Sequence, residues 1–212
     1  MIFGIGGKAR AGKGSIAKVF IKDYNFIEIN FADSLKSYCS QTFNLPLNTF
    51  NDDNLKDSPI SEHLTIDVLK RFLDVIEEDG GIPTSHIDLA SIALIEFTSP
   101  RHILQHMGTE IARKLVCDDV WIRIFKSKVN ESERHIVCSD VRFPNEVNAI
   151  KELGGHALYV SRPSVEDAVR GHSSEQLTSD SFDVIIDNSG DLLNTQSDVR
   201  MWISRRFPGG LR

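Results

Sequence analysis

The chain has 212 residues, of which 41% are hydrophobic, 25% charged and 8% aromatic, enough apolar material for a buried core and too much for a disordered or collagen-like chain. With 24 Lys plus Arg against 30 Asp plus Glu, the formal net charge is -6. Nothing global therefore draws the chain to a nucleic-acid polymer, although a local basic pocket for a small phosphate ligand stays open. The start, Met1 to Gly6, lacks the basic region of a signal peptide, and no apolar run approaches the ~18 residues of a membrane span, so the expectation is a soluble protein. Cys39, Cys117 and Cys138 lie far apart and form no Cys-x-x-Cys set. That pattern supports neither a disulfide framework nor a zinc site and suits a reducing cytoplasm, with Cys138 reading as a small buried hydrophobe.

Short apolar runs alternate with helical patterns along the chain, which predicts an α/β domain built on a parallel sheet. Ile2 to Ile5 reads as a first strand, then a Gly-rich turn and a helix with Ile16, Val19 and Phe20 on one face. Phe26 to Ile29 reads as a strand and Ser34 to Phe43 as a helix. Residues 44–98 carry Pro46, Pro59, Pro83, Gly80-Gly81 and an acidic cluster around one amphipathic helix with Leu69, Phe72, Leu73 and Ile76, and read as a helical insertion. Thr98-Ser99-Pro100 predicts an N-cap and a first-turn Pro for a helix buried through Ile103, Leu104, Met107, Ile111 and Leu115. Val120 to Val129 is a further helix. Strands follow at Ile136 to Ser139, His156 to Val160 and Phe182 to Ile186, and the last helix spans about Thr195 to Arg206. With no internal repeat or linker, residues 1–212 read as one domain.

Gly7-Lys8-Ala9-Arg10-Ala11-Gly12-Lys13-Gly14-Ser15 follows a strand and opens a helix, the setting in which Gly-x-x-x-x-Gly-Lys forms a phosphate loop. Its glycines let backbone N–H groups turn inward, the helix N-terminus adds positive potential, and Lys13 reaches the β and γ phosphates. Ser15 offers a hydroxyl to Mg²⁺. The general motif has Ser or Thr where Gly14 stands; Gly-Lys-Gly-Ser resembles the Gly-Lys-Gly-Thr variant of adenylate kinases, in which the hydroxyl comes one residue later.

A phosphate loop alone indicates nucleotide binding and no particular chemistry. Asp140 ends a buried strand at the edge where open α/β sheets bind ligands, with Arg142 and Glu146 just beyond. Asp140 suits the hydration shell of Mg²⁺ and Arg142 suits bidentate contact with a phosphoryl group. Alternatively, Asp140 and Glu146 are anions favoured by a helix start, with Arg142 as their surface partner. Arg101, Gln105, Gly108 and Ala112 form a polar-to-small stripe on the helix after Pro100, either a nucleotide groove or a solvated face with a packing glycine. Trp121 either stacks on a base or packs in the core.

Taken together, these blocks resemble the phage-type deoxynucleoside monophosphate kinases. The likeness rests on the loop from Gly7 to Lys13, Phe31-Ala32-Asp33-Ser34-Leu35-Lys36, the run from Ser99 to Glu110, Trp121-Ile122, the run from Asp140 to Glu146, and the run from Asp183 to Gly190. It implies a three-layer P-loop fold of the nucleoside monophosphate kinase type and transfer of the γ-phosphate of ATP, with Mg²⁺, to a deoxynucleoside 5′-monophosphate. For the donor it implies Gly7, Arg10, Ala11, Gly12, Lys13, Gly14 and Ser15, with Arg162, and with Asn188 and Gly190 in a turn facing adenine. For the acceptor it implies Asp33, Lys36, Arg101, Gln105, Gly108, Trp121, Arg142 and Glu146. It further implies Lys13, Asp140, Arg142 and Arg170 as the catalytic set, with Ser15 and Asp140 as the residues expected to hold the metal.

Residues 161–175 stand where a short lid is expected, with Arg162 and Arg170 clamping the transferring phosphates. Ser173-Ser174-Glu175-Gln176 also reads as the capping box of the next helix. The resemblance permits a homodimer and a cytoplasmic location, without membrane or nucleic-acid partners. Two rival readings are a different small-molecule kinase of the dephospho-coenzyme A kinase type and a non-catalytic nucleotide-binding switch.

Overall fold

The computed structural model describes residues 1–92, 94–163 and 177–211. Five parallel strands, β1 (Ile2–Gly6), β2 (Ile27–Glu28), β5 (Ile136–Val141), β6 (His156–Ser161) and β7 (Val184–Asp187), form a sheet of order β2-β5-β1-β6-β7. The α/β expectation is met. The chain divides into two compact units, one of residues 1–30 with 128–212 and one of residues 31–127.

In the first unit β1 is the central strand, buried at all five positions and paired with β5 (Ile2↔Ile136, Gly4↔Cys138) and β6 (Phe3↔His156, Gly6↔Tyr159). Alternation along the strand sends Phe3 and Ile5 to one face. There they join Ile16, Val19 and Phe20 of α1 (Lys13–Tyr24) and Val199 and Ile203 of α8 (Leu192–Arg206) in one core. Gly4 takes the other face, where α7 (Pro144–Glu152) packs so closely that a Cβ would lie 2.8 Å from Ile150 Cγ1. Helices on both faces of a parallel sheet give this unit its three layers.

The second unit is mainly helical: α2 (Phe31–Phe43), α3 (Leu47–Asn51), α4 (Ile66–Gly80), α5 (Pro100–Gln105), a π-helical continuation (His106–Val116), and most of α6 (Val120–Asn130). Its core gathers Phe50, Leu69, Phe72, Ile76, Phe97, Ile103, Met107 and Ile124. Thr65 caps α4 by accepting from Val68 N–H at 3.2 Å, and the left-handed Gly81 ends it. A two-stranded antiparallel ribbon, β3 (Glu62–His63) with β4 (Glu96–Phe97), also lies in this region.

Several boundaries differ from expectation. Helix α2 starts at Phe31, where the buried ring stacks on Phe125 at 4.1 Å. Helix α8 starts at Leu192, because Asp191 accepts from Leu193 N–H at 3.2 Å. The segment after Pro100 is helical as expected, but from His106 it widens into π geometry, closed by a Cys117 N–H to Ala112 bond of 3.1 Å. The wider turn rotates the buried face, so Leu115, expected in the stripe, is 39% exposed while Gly108 and Ala112 are buried. The expected lid from 161 to 175, the capping box from Ser173 to Gln176 and Arg170 lie outside the described residues, apart from 161–163.

Phe72 is fully buried at the centre of the second unit's core. Phe72→Ala should cost about 3–5 kcal/mol of unfolding free energy, since it removes a large buried side chain from a close-packed site. Denaturant unfolding followed by tryptophan fluorescence checks this, and a cost under about 1 kcal/mol would contradict the packing described here.

Candidate functional site

The loop between β1 and α1 is fixed by backbone crowding. Gly7 has φ of 135° and Gly12 of 100°, and a Cβ on Gly7 would stand 2.4 Å from the Val160 carbonyl oxygen. Arg10 is also left-handed at φ 63°. A turn closes within the loop through an Ala11 N–H to Lys8 bond of 3.2 Å. The loop then leads into α1 at Gly12, which brings no side-chain cap to the helix start. Gly14 has nothing within 4 Å of a Cβ among the described residues, so local packing does not force its departure from the usual motif. Ser15 follows, half-buried.

Lys13 folds back across the loop, donating to the carbonyls of Gly7 at 2.8 Å and Lys8 at 2.9 Å. Burial first, then the Arg142 guanidinium, lower its ammonium to a pKa of about 8, against the opposite pull of Asp140. Arg142 and Asp140 are thus both close enough to act on Lys13, in keeping with the shared C-terminal edge of parallel strands.

Asp140 and Arg142 stand at the end of β5. Cys138, buried, donates its S–H to Asp140 Oδ1 at 3.2 Å, so it holds a carboxylate in place besides filling the core. Asn30 accepts from Ser139 N–H at 2.7 Å, and Glu28 accepts from the Ser139 hydroxyl. Glu146, 3% exposed, accepts from Arg142 N–H at 2.7 Å and from Phe143 N–H at 3.1 Å through one oxygen. The structure thus shows Glu146 in the helix-start arrangement, clamping the backbone that carries Arg142. The Arg142 side chain is exposed.

Asn188 is buried and its side chain points at the loop, with Nδ2 donating to the Ala11 carbonyl at 2.8 Å. Ser189 and Gly190 beyond it are exposed, as is Arg162 after β6.

The residues expected to serve the acceptor fall on the second unit apart from Arg142 and Glu146. Arg101 is exposed and forms a bidentate pair with Asp57, at 2.6 and 2.9 Å. Lys36 lies 3.7 Å from Asp33. Gln105 is exposed, whereas Gly108 is buried with a Cβ position 2.6 Å from Leu35 Cδ2. The four-residue stripe is therefore not one groove: its polar members face solvent, and Gly108 and Ala112 pack. Trp121 is 4% exposed, donates its indole N–H to the Gly108 carbonyl at 3.0 Å and lies against Tyr38 with ring centroids 6.1 Å apart. The structure gives it the packing arrangement. Tyr38 donates to Asp79 at 2.5 Å, and burial followed by that carboxylate pushes its phenol well up.

Magnesium suits this donor set. Among the described residues no group of three or more His, Cys, Asp or Glu could hold a metal alone, while Mg²⁺ typically takes one or two protein oxygens and completes its shell with phosphates and water. Ser15 and Asp140 offer those oxygens.

A family model described as deoxynucleotide monophosphate kinase matches residues 76–199. The chain is 25% identical over 204 residues to a putative deoxynucleotide monophosphate kinase of Acanthamoeba polyphaga mimivirus, covering 89% of each chain. It is 40% identical over 57 residues to the deoxynucleoside-5′-monophosphate kinase of Escherichia phage T5, covering 26% of this chain and 23% of that one.

Because Lys13 sits below its usual 10.5 at about 8, its charged form opposes folding below that pH, and the cost is relieved as pH rises from 8 to 10.5. NMR of reductively ¹³C-methylated protein should show one lysine titrating near 8, absent in Lys13→Met. The midpoint should rise in Arg142→Met and fall further in Asp140→Asn. A Lys13 midpoint at the ordinary lysine value would contradict this arrangement.

Proposed function

The chain belongs to the deoxynucleotide monophosphate kinase family, and on that premise we propose how its residues divide the work of phosphoryl transfer from ATP. As a kinase acting on deoxynucleoside monophosphates it need supply little covalent chemistry, because the acceptor phosphate is already anionic at neutral pH and the transition state asks for alignment and charge stabilisation. The observation that carries the proposal is the Lys13, Arg142 and Asp140 cluster at the mouth of the phosphate loop.

Backbone N–H groups of the loop from Gly7 to Ser15 cradle the ATP phosphates. Lys13 exchanges its bonds to the Gly7 and Lys8 carbonyls for the β and γ phosphates, and Arg10 and Arg162 add charge at the rim. Ser15, and Asp140 directly or through water, would hold Mg²⁺, which when bound would offset negative charge on the β and γ phosphates. Arg142 bridges donor and acceptor phosphoryl groups with its planar fork, which Glu146 keeps in register through the backbone. On the acceptor side, Arg101 and Lys36 bind the monophosphate, Asp33 orients Lys36, and Gln105 meets the nucleotide. Gly108 and Trp121 shape that site from beneath, through the carbonyl they share. Arg170 joins the transferring phosphates as the expected lid arginine. No helix among the described residues is long and apolar enough to cross a membrane, and the free thiols of Cys39, Cys117 and Cys138 suit a reducing cytoplasm.

Lys13→Ala should fold and lose roughly 10²-fold or more in turnover. Arg142→Lys should be nearly as damaging as Arg142→Ala, because an ammonium cannot replace a bidentate fork. Steady-state kinetics at saturating ATP and Mg²⁺, with melting temperatures in parallel, check both. Near-normal turnover in Arg142→Lys would reject the bridging role, and near-normal turnover in Lys13→Ala would reject the phosphate-loop assignment.

A further inference from the structure

Asn188 was expected in a turn facing the adenine of ATP, yet its side chain is committed elsewhere. The residue is 4% exposed; its backbone N–H donates to the Ser161 carbonyl at 2.8 Å, at the end of β6. Its amide nitrogen donates to the Ala11 carbonyl at 2.8 Å, and its amide oxygen accepts from the Thr195 hydroxyl at 2.9 Å. Thr195, in the first turn of α8, is 2% exposed. The Ala11 carbonyl can only accept, so it fixes the amide nitrogen toward the loop, and the Thr195 hydroxyl, which also lies 3.3 Å from the Asp191 carbonyl, then holds the amide oxygen.

The bonded carbonyl sits at the least ordinary part of the loop. Ala11 lies between Arg10 at φ 63° and Gly12 at φ 100°, and a Cβ on Gly12 would meet Asn188 Nδ2 at 2.5 Å. The amide thus fills the space that a side chain at position 12 would take and anchors the peptide that turns the loop into α1. Gln196, next to Thr195, adds a second tie by donating to the Ser15 carbonyl at 3.1 Å.

We propose that Asn188 is a positioning residue for the phosphate loop, with Thr195 as the group that holds its amide oxygen in place. Asn188 acts on ATP through the loop backbone it holds and makes no contact with the base. The inference rests on the loop being the ATP phosphate site and goes beyond it, because it moves Asn188 from the base end of the nucleotide to the phosphate end and brings in Thr195.

The test compares binding of inorganic tripolyphosphate, ATP and adenosine by calorimetry for wild type, Asn188→Ala, Asn188→Asp, Thr195→Val and Thr195→Ser. Binding needs no turnover, so the test stands even if the kinase assay fails. In Asn188→Ala, affinity for tripolyphosphate and ATP should fall roughly 10-fold, the size expected when a buried hydrogen-bond partner is removed, with adenosine unchanged. Asn188→Asp should lose at least as much, because an acceptor then faces the Ala11 carbonyl. Thr195→Val should show the same pattern more weakly, and Thr195→Ser should restore wild-type binding. In kinetics, the ATP Michaelis constant should rise and turnover fall, with the acceptor Michaelis constant unmoved. Loss of adenosine affinity with tripolyphosphate unchanged would overturn the proposal, as would unchanged binding of all three in folded Asn188→Ala. If the Asn188 variants do not fold, identical tripolyphosphate binding by Thr195→Val and Thr195→Ser would overturn it.

Discussion

The close approach of the phosphate loop to β6 is the constraint from which the arrangement of the first unit's sheet edge follows. A backbone that passes the Val160 carbonyl with no room for a Cβ at Gly7 must carry glycine there, and it turns at once into a positive-φ conformation. That turn aims the loop at the C-terminal edge of the sheet and starts α1 so that Lys13 comes back over the loop carbonyls. Because every strand in the sheet is parallel, the groups at the ends of β5 and β7 arrive at the same edge. Asp140, Arg142 and Asn188 reach the loop for topological reasons, without any long excursion of the chain.

Polar groups near this edge are supported from behind. Cys138 steadies Asp140, Asn30 and Glu28 steady Ser139, and Glu146 steadies the backbone of Arg142. Together these bonds hold the end of β5 and the start of α7 in place. Such preorganisation is what a reaction governed by alignment and charge stabilisation requires. The second unit combines a large aromatic and aliphatic core with an exposed Arg101–Asp57 pair. A pair so open to water adds little to stability.

Features governed by local rules were legible in the sequence. The strand, glycine turn and helix of the phosphate loop are contiguous, so residues 2–20 announce them. The sheet strands and the α4 stripe follow hydrophobic periodicity. What stayed hidden depends on distance or on small deviations. The Asn188 to Ala11 bond joins residues 177 positions apart, and nothing in Asn188-Ser189-Gly190 separates an amide facing a base from one facing a carbonyl. The π geometry from His106 to Val116 slips the helical face by a fraction of a turn, enough to expose Leu115 and bury Gly108. Strands β3 and β4 are two residues each, too short to show alternation. For Trp121 and Glu146 the competing readings differed only in what surrounds the side chain, which the packing supplies.

The most direct measurement of the central claim follows the phosphoryl group itself. Wild-type protein is incubated with Mg²⁺, ATP labelled at the γ-phosphate, and each deoxynucleoside monophosphate in turn, and the products are separated. The account predicts label in the β position of a deoxynucleoside diphosphate, formed in step with ADP for at least one base. Label released only as inorganic phosphate, or retained in ATP with every acceptor, would contradict it.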